Sequence, residues 1–229
     1  MRLPRFAPEL WRPLAVLGSI TALALATRPR LALVPLALAG ATAFFFRDPD
    51  RVVDAPTGVA LAPADGWVTH VRQVRDEYFE QSMLEIVVFL SMLDVHVQRS
   101  PLAATVLEVR HTPGPKRNAL FGSSTDDNER TALYLDADGT PCTVVQIAGM
   151  IARAIVTRVG PGDRLAAGER IGMIKFGSRT SLRLPLGWEP LVDVGDHVTG
   201  GRTRIAARRD DRPGESGEPL VVDKAGSRG

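Results

Sequence analysis

Two uncharged apolar stretches separated by a four-residue break constrain this chain more than anything else in it. Residues 13–26, PLAVLGSITALALA, and 31–46, LALVPLALAGATAFFF, flank the break TRPR at 27–30. A secretory signal peptide shares the basic start, the apolar middle and the small residues around Ala24 and Ala26. Arg28 and Pro29 crowd that cleavage point, however, and a second apolar stretch follows at once. A buried pair of core helices calls for an apolar stripe on each, and none is visible. The remaining reading is an N-terminal membrane helical hairpin over 1–46. Sixteen helical residues reach roughly 24 Å, short of a ~30 Å hydrocarbon core, so each arm either borrows flanking residues to span or dips in and returns. Both ends then lie on one side. Arg2, Arg5, Arg12, Arg47 and Arg51 flank the pair and Arg28 and Arg30 sit in its loop, which favours cytoplasmic ends.

Beyond the hairpin, FFFRDPDRVVDAP at 44–56 changes the texture to charged and Pro-containing, and reads as an extended connector. Short β-branched runs follow at 66–74, 84–90, 94–98, 104–110, 131–139 and 142–149, separated by Gly, Pro and Asp clusters. The spacing predicts a mainly β (α+β) domain over 47–207, with one or two helices near 114–122 and 150–157, although MIARAIVTRV (150–159) reads as either a short helix or a strand. GDRLAAGERIG at 162–172 recurs as GDHVTGGRTRI at 195–205, an offset of 33 residues. Two such units suit paired hairpin halves of a barrel-sandwich-like domain. The polar stretch 208–229 reads as a disordered tail.

With 28 basic and 26 acidic residues interleaved, the chain does not carry the charge of a nucleic-acid binder. The one cysteine, Cys142, makes no internal disulfide and fits a small buried hydrophobe. No metal-ligand cluster of usual spacing is visible.

Four stretches bear on chemistry. Asp65 in PADG (63–66) is either a turn residue or a carboxylate that orients a histidine. In DVHVQRSP (94–101), Asp94 and His96 are two apart on an expected strand and share a face. That face is either solvated or makes His96 a proton-transfer group. NER (128–130) is either a turn into the next strand or offers the Arg130 fork to a carboxylate or phosphate.

The fourth stretch is GMIKFGSRTSLRLP (172–185), which reads as two strands meeting at Gly177-Ser178. The pair is either a hairpin turn or a bond that the protein breaks by itself. Attack of Ser178 Oγ on the Gly177 carbonyl turns that amide into an ester. β-Elimination then leaves dehydroalanine at 178, which hydrolyses to a pyruvoyl ketone with loss of ammonia. Such a ketone forms a Schiff base with an amine and accepts electrons when CO₂ departs.

In their order, FFRDP–DR (45–51), PADG, DVHVQRSP, NER, QIAG (146–149) and GMIKFGSR–SLRLP closely resemble the short-form phosphatidylserine decarboxylase proenzymes over roughly 44–186. The resemblance implies a pyruvoyl group made from Ser178 and a cut between Gly177 and Ser178. It implies β (1–177) and α (178–229) chains that remain a heterodimer, with higher assembly left open. It also implies phosphatidylserine as the substrate, held in the cell membrane, with the catalytic domain on the cytoplasmic side. Asp65 and His96 match the family's Asp-His-Ser arrangement, Asp65 orienting His96. Asp94, Arg99 and Arg130 are weaker substrate-binding candidates. Arg47 and Arg51 would favour an anionic lipid surface. The long forms carry a second histidine where this chain has Arg99, so His96 is expected to cover both roles; His70, His111 and His197 sit in no matching motif.

Two rivals come from other classes. The Gly-Asp repeat texture also resembles biotinyl and lipoyl carriers and membrane-adaptor modules, but Lys175 between Ile174 and Phe176 does not match their modified lysine. A serine hydrolase needs Gly-x-Ser-x-Gly, which surrounds neither Ser178 nor Ser123 and Ser124.

Overall fold

A computed structural model of the chain describes residues 5–114, 128–149, 154–175 and 178–209. The apolar pair forms helices α1 (Trp11–Thr27) and α2 (Leu33–Phe45), joined through a short 3₁₀ turn at Pro29–Ala32. Pro29 opens that turn, where its missing N–H costs nothing. With the turn before it, the first arm runs Pro8–Thr27 and is long and apolar enough to cross a membrane; Pro29–Phe45 is shorter. Leu23, Leu33, Val34 and Leu36 are exposed along the pair, an apolar surface that water does not favour.

The rest is β. The strands are β1 (Val59–Leu61), β2 (Gly66–Asp76), β3 (Gln81–Leu90), β4 (Val97–Arg99), β5 (Ala104–Thr112), β6 (Arg130–Ala137) and β7 (Thr140–Ala148). They continue with β8 (Ile155–Thr157), β9 (Arg164–Leu165), β10 (Arg170–Ile174), β11 (Ser178–Pro185), β12 (Trp188–Pro190), β13 (His197–Val198) and β14 (Arg204–Arg208). A curled eight-stranded sheet has the order β13-β2-β3-β11-β7-β6-β5-β9, and two three-stranded sheets, β1-β14-β12 and β4-β10-β8, complete the body. Every pairing is antiparallel. One face of the large sheet supplies the main core, including Ile86, Val88, Leu133, Val144, Leu182 and Leu184.

The Gly-Asp repeat builds a pseudo-twofold arrangement. Its first strands, β9 and β13, sit at opposite edges of the large sheet, against β5 and β2. Its second strands, β10 and β14, pair with β4 and β1. The main-chain bonds repeat as well: Gly162 N–H donates to the Val106 carbonyl and Gly195 N–H to that of Val68, while Gly168 and Gly201 donate to Ser100 and Ala62. Gly168 and Gly201 have φ of +74° and +70°, so the turn in each copy needs a residue without a Cβ penalty.

Several sequence readings are corrected. Ile155–Thr157 is a strand, not part of a helix, because its hydrogen bonds go to β10. Residues 94–96 precede β4 instead of lying in it; a turn at 91–94 occupies that length, with Asp94 N–H on the Ser91 carbonyl. Arg208 closes β14 opposite Trp188 and so belongs to the folded body. The expected helix at 114–122 falls almost wholly, and the tail beyond 209 wholly, outside the described residues.

Candidate active site

Ser178 is the first residue of β11, an interior strand. Opposite it stand Leu90 of β3 and Ala148 of β7. Alternation puts Ser178 and Thr180 on the same face as Leu182 and Leu184, toward the core. Ser178 is fully buried, and among the described residues neither its Oγ nor Thr180 Oγ1 two residues along has a hydrogen-bond partner. Buried hydroxyls are normally satisfied, so a pair of orphans marks a place where packing was not the only constraint. Gly177 and Phe176 lie outside the described residues.

The strands on either side of the Gly-Ser junction do not pair as a hairpin. β10, which ends at Ile174, belongs to one of the small sheets, and β11 to the large one. The chain passes from one sheet to the other across the junction. Lys175 therefore sits at no hairpin tip; its N–H donates to the Ala154 carbonyl.

His96 is completely buried just before β4. Its carbonyl accepts the Ile174 N–H at 3.3 Å, and Ile174 packs with Ala148, the residue opposite Ser178. Ile174 thus links the segment carrying His96 to the start of β11. Nδ1 of His96 donates to the Asp94 carbonyl at 2.9 Å, which leaves Nε2 as the lone-pair nitrogen, and Nε2 has no partner among the described residues. The Phe45 ring lies 4.2 Å from the imidazole, centroid to centroid. Burial pushes the His96 pKa down to about 4, against the pull of the Asp94 carbonyl and carboxylate. At neutral pH the ring is an uncharged base.

Asp65 does not orient His96. Its two oxygens receive the Arg51 fork at 2.6 and 2.7 Å, and Oδ1 also accepts the Gly200 N–H at 2.8 Å. The orienting acceptor is instead the Asp94 main chain. Asp65 acts at longer range, as one of the negative charges that favour the protonated form of His96. PADG also needs its glycine: a Cβ on Gly66, at φ +143°, would stand 2.0 Å from the Phe89 carbonyl oxygen.

Asp94 is buried, so the solvated-face alternative fails for this pair. Its carboxylate accepts from Ser91 Oγ at 2.6 Å, from Ser91 N–H at 2.8 Å and faces His197 Nε2 at 3.0 Å. Burial alone would raise its pKa, but these partners hold it below the usual range. Asp94 braces the loop that carries His96, with no substrate-facing role left for the carboxylate.

The charged connector is a fastener. Arg47 covers the Phe44 ring and donates to the Leu93 carbonyl. Asp48 accepts from Arg99 at 3.2 Å and from Arg170 at 2.6 Å; Asp50 accepts from Arg170 and Arg5; Arg51 is spent on Asp65 and the Gly200 carbonyl. Arg99, almost wholly buried, also donates to the Gly168 and Pro49 carbonyls. It clamps the connector and does not face the site as a substrate ligand. Arg51, equally buried, is not displayed to a lipid surface.

Arg130 lies on the opposite face of the sheet. It lines a cleft of about 590 Å³ with Arg179, Ser181, Arg183, Glu85 and Tyr134. That cleft is backed by a mutually satisfied polar cluster, in which Glu85 accepts from Arg72, Ser181 and Arg183. His70 reaches the same face, and His111 bonds Thr131 on the β5–β6 ladder; neither belongs to the corner that holds Ser178. Cys142 is buried within the core, and burial pushes its thiol up, away from nucleophilic use. Among the described residues, no group of three or more His, Cys, Asp or Glu is placed to share a metal ion.

Residues 38–206 match the family described as phosphatidylserine decarboxylase. Similar curated proteins are each named phosphatidylserine decarboxylase proenzyme. That of Oleidesulfovibrio alaskensis is 42% identical over 79% of this chain and 83% of its own length. That of Polynucleobacter asymbioticus is 38% identical over 89% and 95%. That of Granulibacter bethesdensis is 46% identical over 71% and 69%.

Proposed function

The chain belongs to the phosphatidylserine decarboxylase family, and we propose that it cuts itself between Gly177 and Ser178 and then converts phosphatidylserine to phosphatidylethanolamine and CO₂. The observation that carries this reading is the pair of buried atoms, Ser178 Oγ and His96 Nε2, that have no hydrogen-bond partner among the described residues.

Serine is a weak nucleophile until a base takes its proton. His96 is uncharged, has the correct tautomer and presents an unoccupied lone pair. It accepts the Ser178 proton as Oγ attacks the Gly177 carbonyl. The acyl shift frees the Ser178 amine; loss of the Cα proton expels the Gly177 carboxylate; water replaces the nitrogen, and ammonia leaves. The residues around Ser178 fit the resulting pyruvoyl group. Ala148 opposite leaves room, and Thr180 Oγ1 is an unused donor on the same face. When formed, the ketone supplies the electron sink for loss of CO₂ from the substrate amino acid. His96, held against Phe45, handles the proton that replaces the carboxylate.

After the cut, the α chain keeps β11 to β14. β11 pairs along its length with β3 and with β7, both in the β chain, so the two chains stay one body. The hairpin sets that body at the membrane, where the substrate head group lies.

The test uses the full chain in detergent with phosphatidylserine. The parent chain releases CO₂, whereas Ser178→Ala remains full length and releases none. Equal CO₂ release by the two chains contradicts the reading.

A further inference from the structure

A second cavity, about 520 Å³, opens where the hairpin meets the β body. Glu9 and Arg12 at the start of α1, Thr42 and Phe46 at the end of α2, and Lys175 after β10 line it. Its charge is one-sided. Glu9 is engaged by Arg158 at 2.7 Å, while Arg12 and Lys175 form no ion pair with any described residue. Trp11 and Phe44, exposed at this end of the helix pair, put it at head-group depth on the reading that the pair enters a bilayer. Lys175 follows Ile174, which is bonded to the His96 carbonyl, and precedes Ser178 by three residues.

We propose that this cavity is a phosphodiester subsite, in which Lys175 and Arg12 hold the phosphate of the substrate lipid. The inference rests on the decarboxylase reading. A serine head group carries its amine only a short carbon arm from the phosphate. A cation pair that includes Lys175, three residues before Ser178, therefore holds the amine toward Ser178, while the acyl chains remain along α1 and α2. Phosphate accepts several charge-assisted hydrogen bonds at once, and a lysine serves it as a point charge.

The experiment measures CO₂ release by the cleaved enzyme in neutral mixed micelles, varying the surface fraction of phosphatidylserine. Lys175→Gln and Arg12→Gln are expected to cleave to completion and to raise the half-saturating fraction roughly tenfold for Lys175→Gln and less for Arg12→Gln. Arg164→Gln, which removes an exposed cation on β9, leaves it unchanged. In parallel, soluble glycerophosphoserine is titrated by phosphorus NMR against the uncleaved Ser178→Ala chain, with and without Lys175→Gln. Loss of that affinity in the double variant supports the subsite even without turnover. Two results overturn it: an unchanged half-saturating fraction, or a change confined to binding of anionic vesicles while glycerophosphoserine affinity stays the same. A parent chain that releases no CO₂ contradicts the decarboxylase reading, and the glycerophosphoserine titration then decides the subsite alone.

Discussion

His96 enters the folded state as a neutral base, and its pH behaviour follows from that. Its pKa falls from an ordinary value near 6.5 to about 4, chiefly through burial. Self-cleavage should therefore run at a level rate from pH 8 down to about 5.5 and fall only as pH approaches 4. Stability has the matching sign. The unfolded chain binds the proton first, so acidification between about 6.5 and 4 favours unfolding, and the destabilisation is complete below the folded pKa. Phe45 contributes to that burial. Phe45→Ala should cost about 3 kcal/mol of stability and move the His96 titration back toward 6.5, which proton NMR reads directly. Asp65→Ala should cost about 3 kcal/mol by stranding Arg51 in a buried position, measurable by denaturant melts. Ser178 and His96 stand out in the sequence as candidates because each sits in a compact motif. The true partners of Asp65 and Arg99 were not legible. Arg51 and Asp48 sit in a stretch that reads as a plain connector, and only the tertiary fold decides which charges meet.

At the scale of elements, alternation of β-branched and polar residues located most of the longer strands, and the Gly-Asp repeat announced two related units without saying that their first strands form the edges of the large sheet. Periodicity carries no record of which sheet a strand joins. Hence GMIKFGSRTSLRLP read as strand, turn, strand, while β10 and β11 lie in different sheets. The same blindness left β8 undecided, a three-residue strand fixed by its pairing with β10. The placement of β11 has a measurable consequence. With eight residues aligned on β3 and six on β7, the α chain should stay bound to the β chain through size-exclusion chromatography without denaturant. The two should separate only in denaturant. Separation in native buffer would contradict the observed ladder.

For the whole molecule, the apolar hairpin is part of the folded body. Ala7, Leu10, Phe45 and Phe46 pack with Val95, Val97 and Met173 in one cluster, and the chain at 5–7 bonds back to 46–48. A chain lacking 1–46 should leave the membrane fraction. It should also cleave poorly, because the deletion uncovers the residues on either side of His96. A deletion that leaves the membrane fraction yet cleaves at the parent rate would separate the two functions and contradict this coupling. The apolar pair itself was legible from composition. Its docking was not, because the helix residues that contact the body are as apolar as those that face outward.

The central claim is that Gly177-Ser178 is a self-processing site, and intact mass of the purified, detergent-solubilised chain tests it most directly. The account predicts two fragments, the smaller beginning at residue 178 and about 17 Da lighter than an ordinary serine terminus, the difference between an amine-bearing serine and a ketone. A single full-length mass, or a smaller fragment with an intact serine at its start, would contradict it.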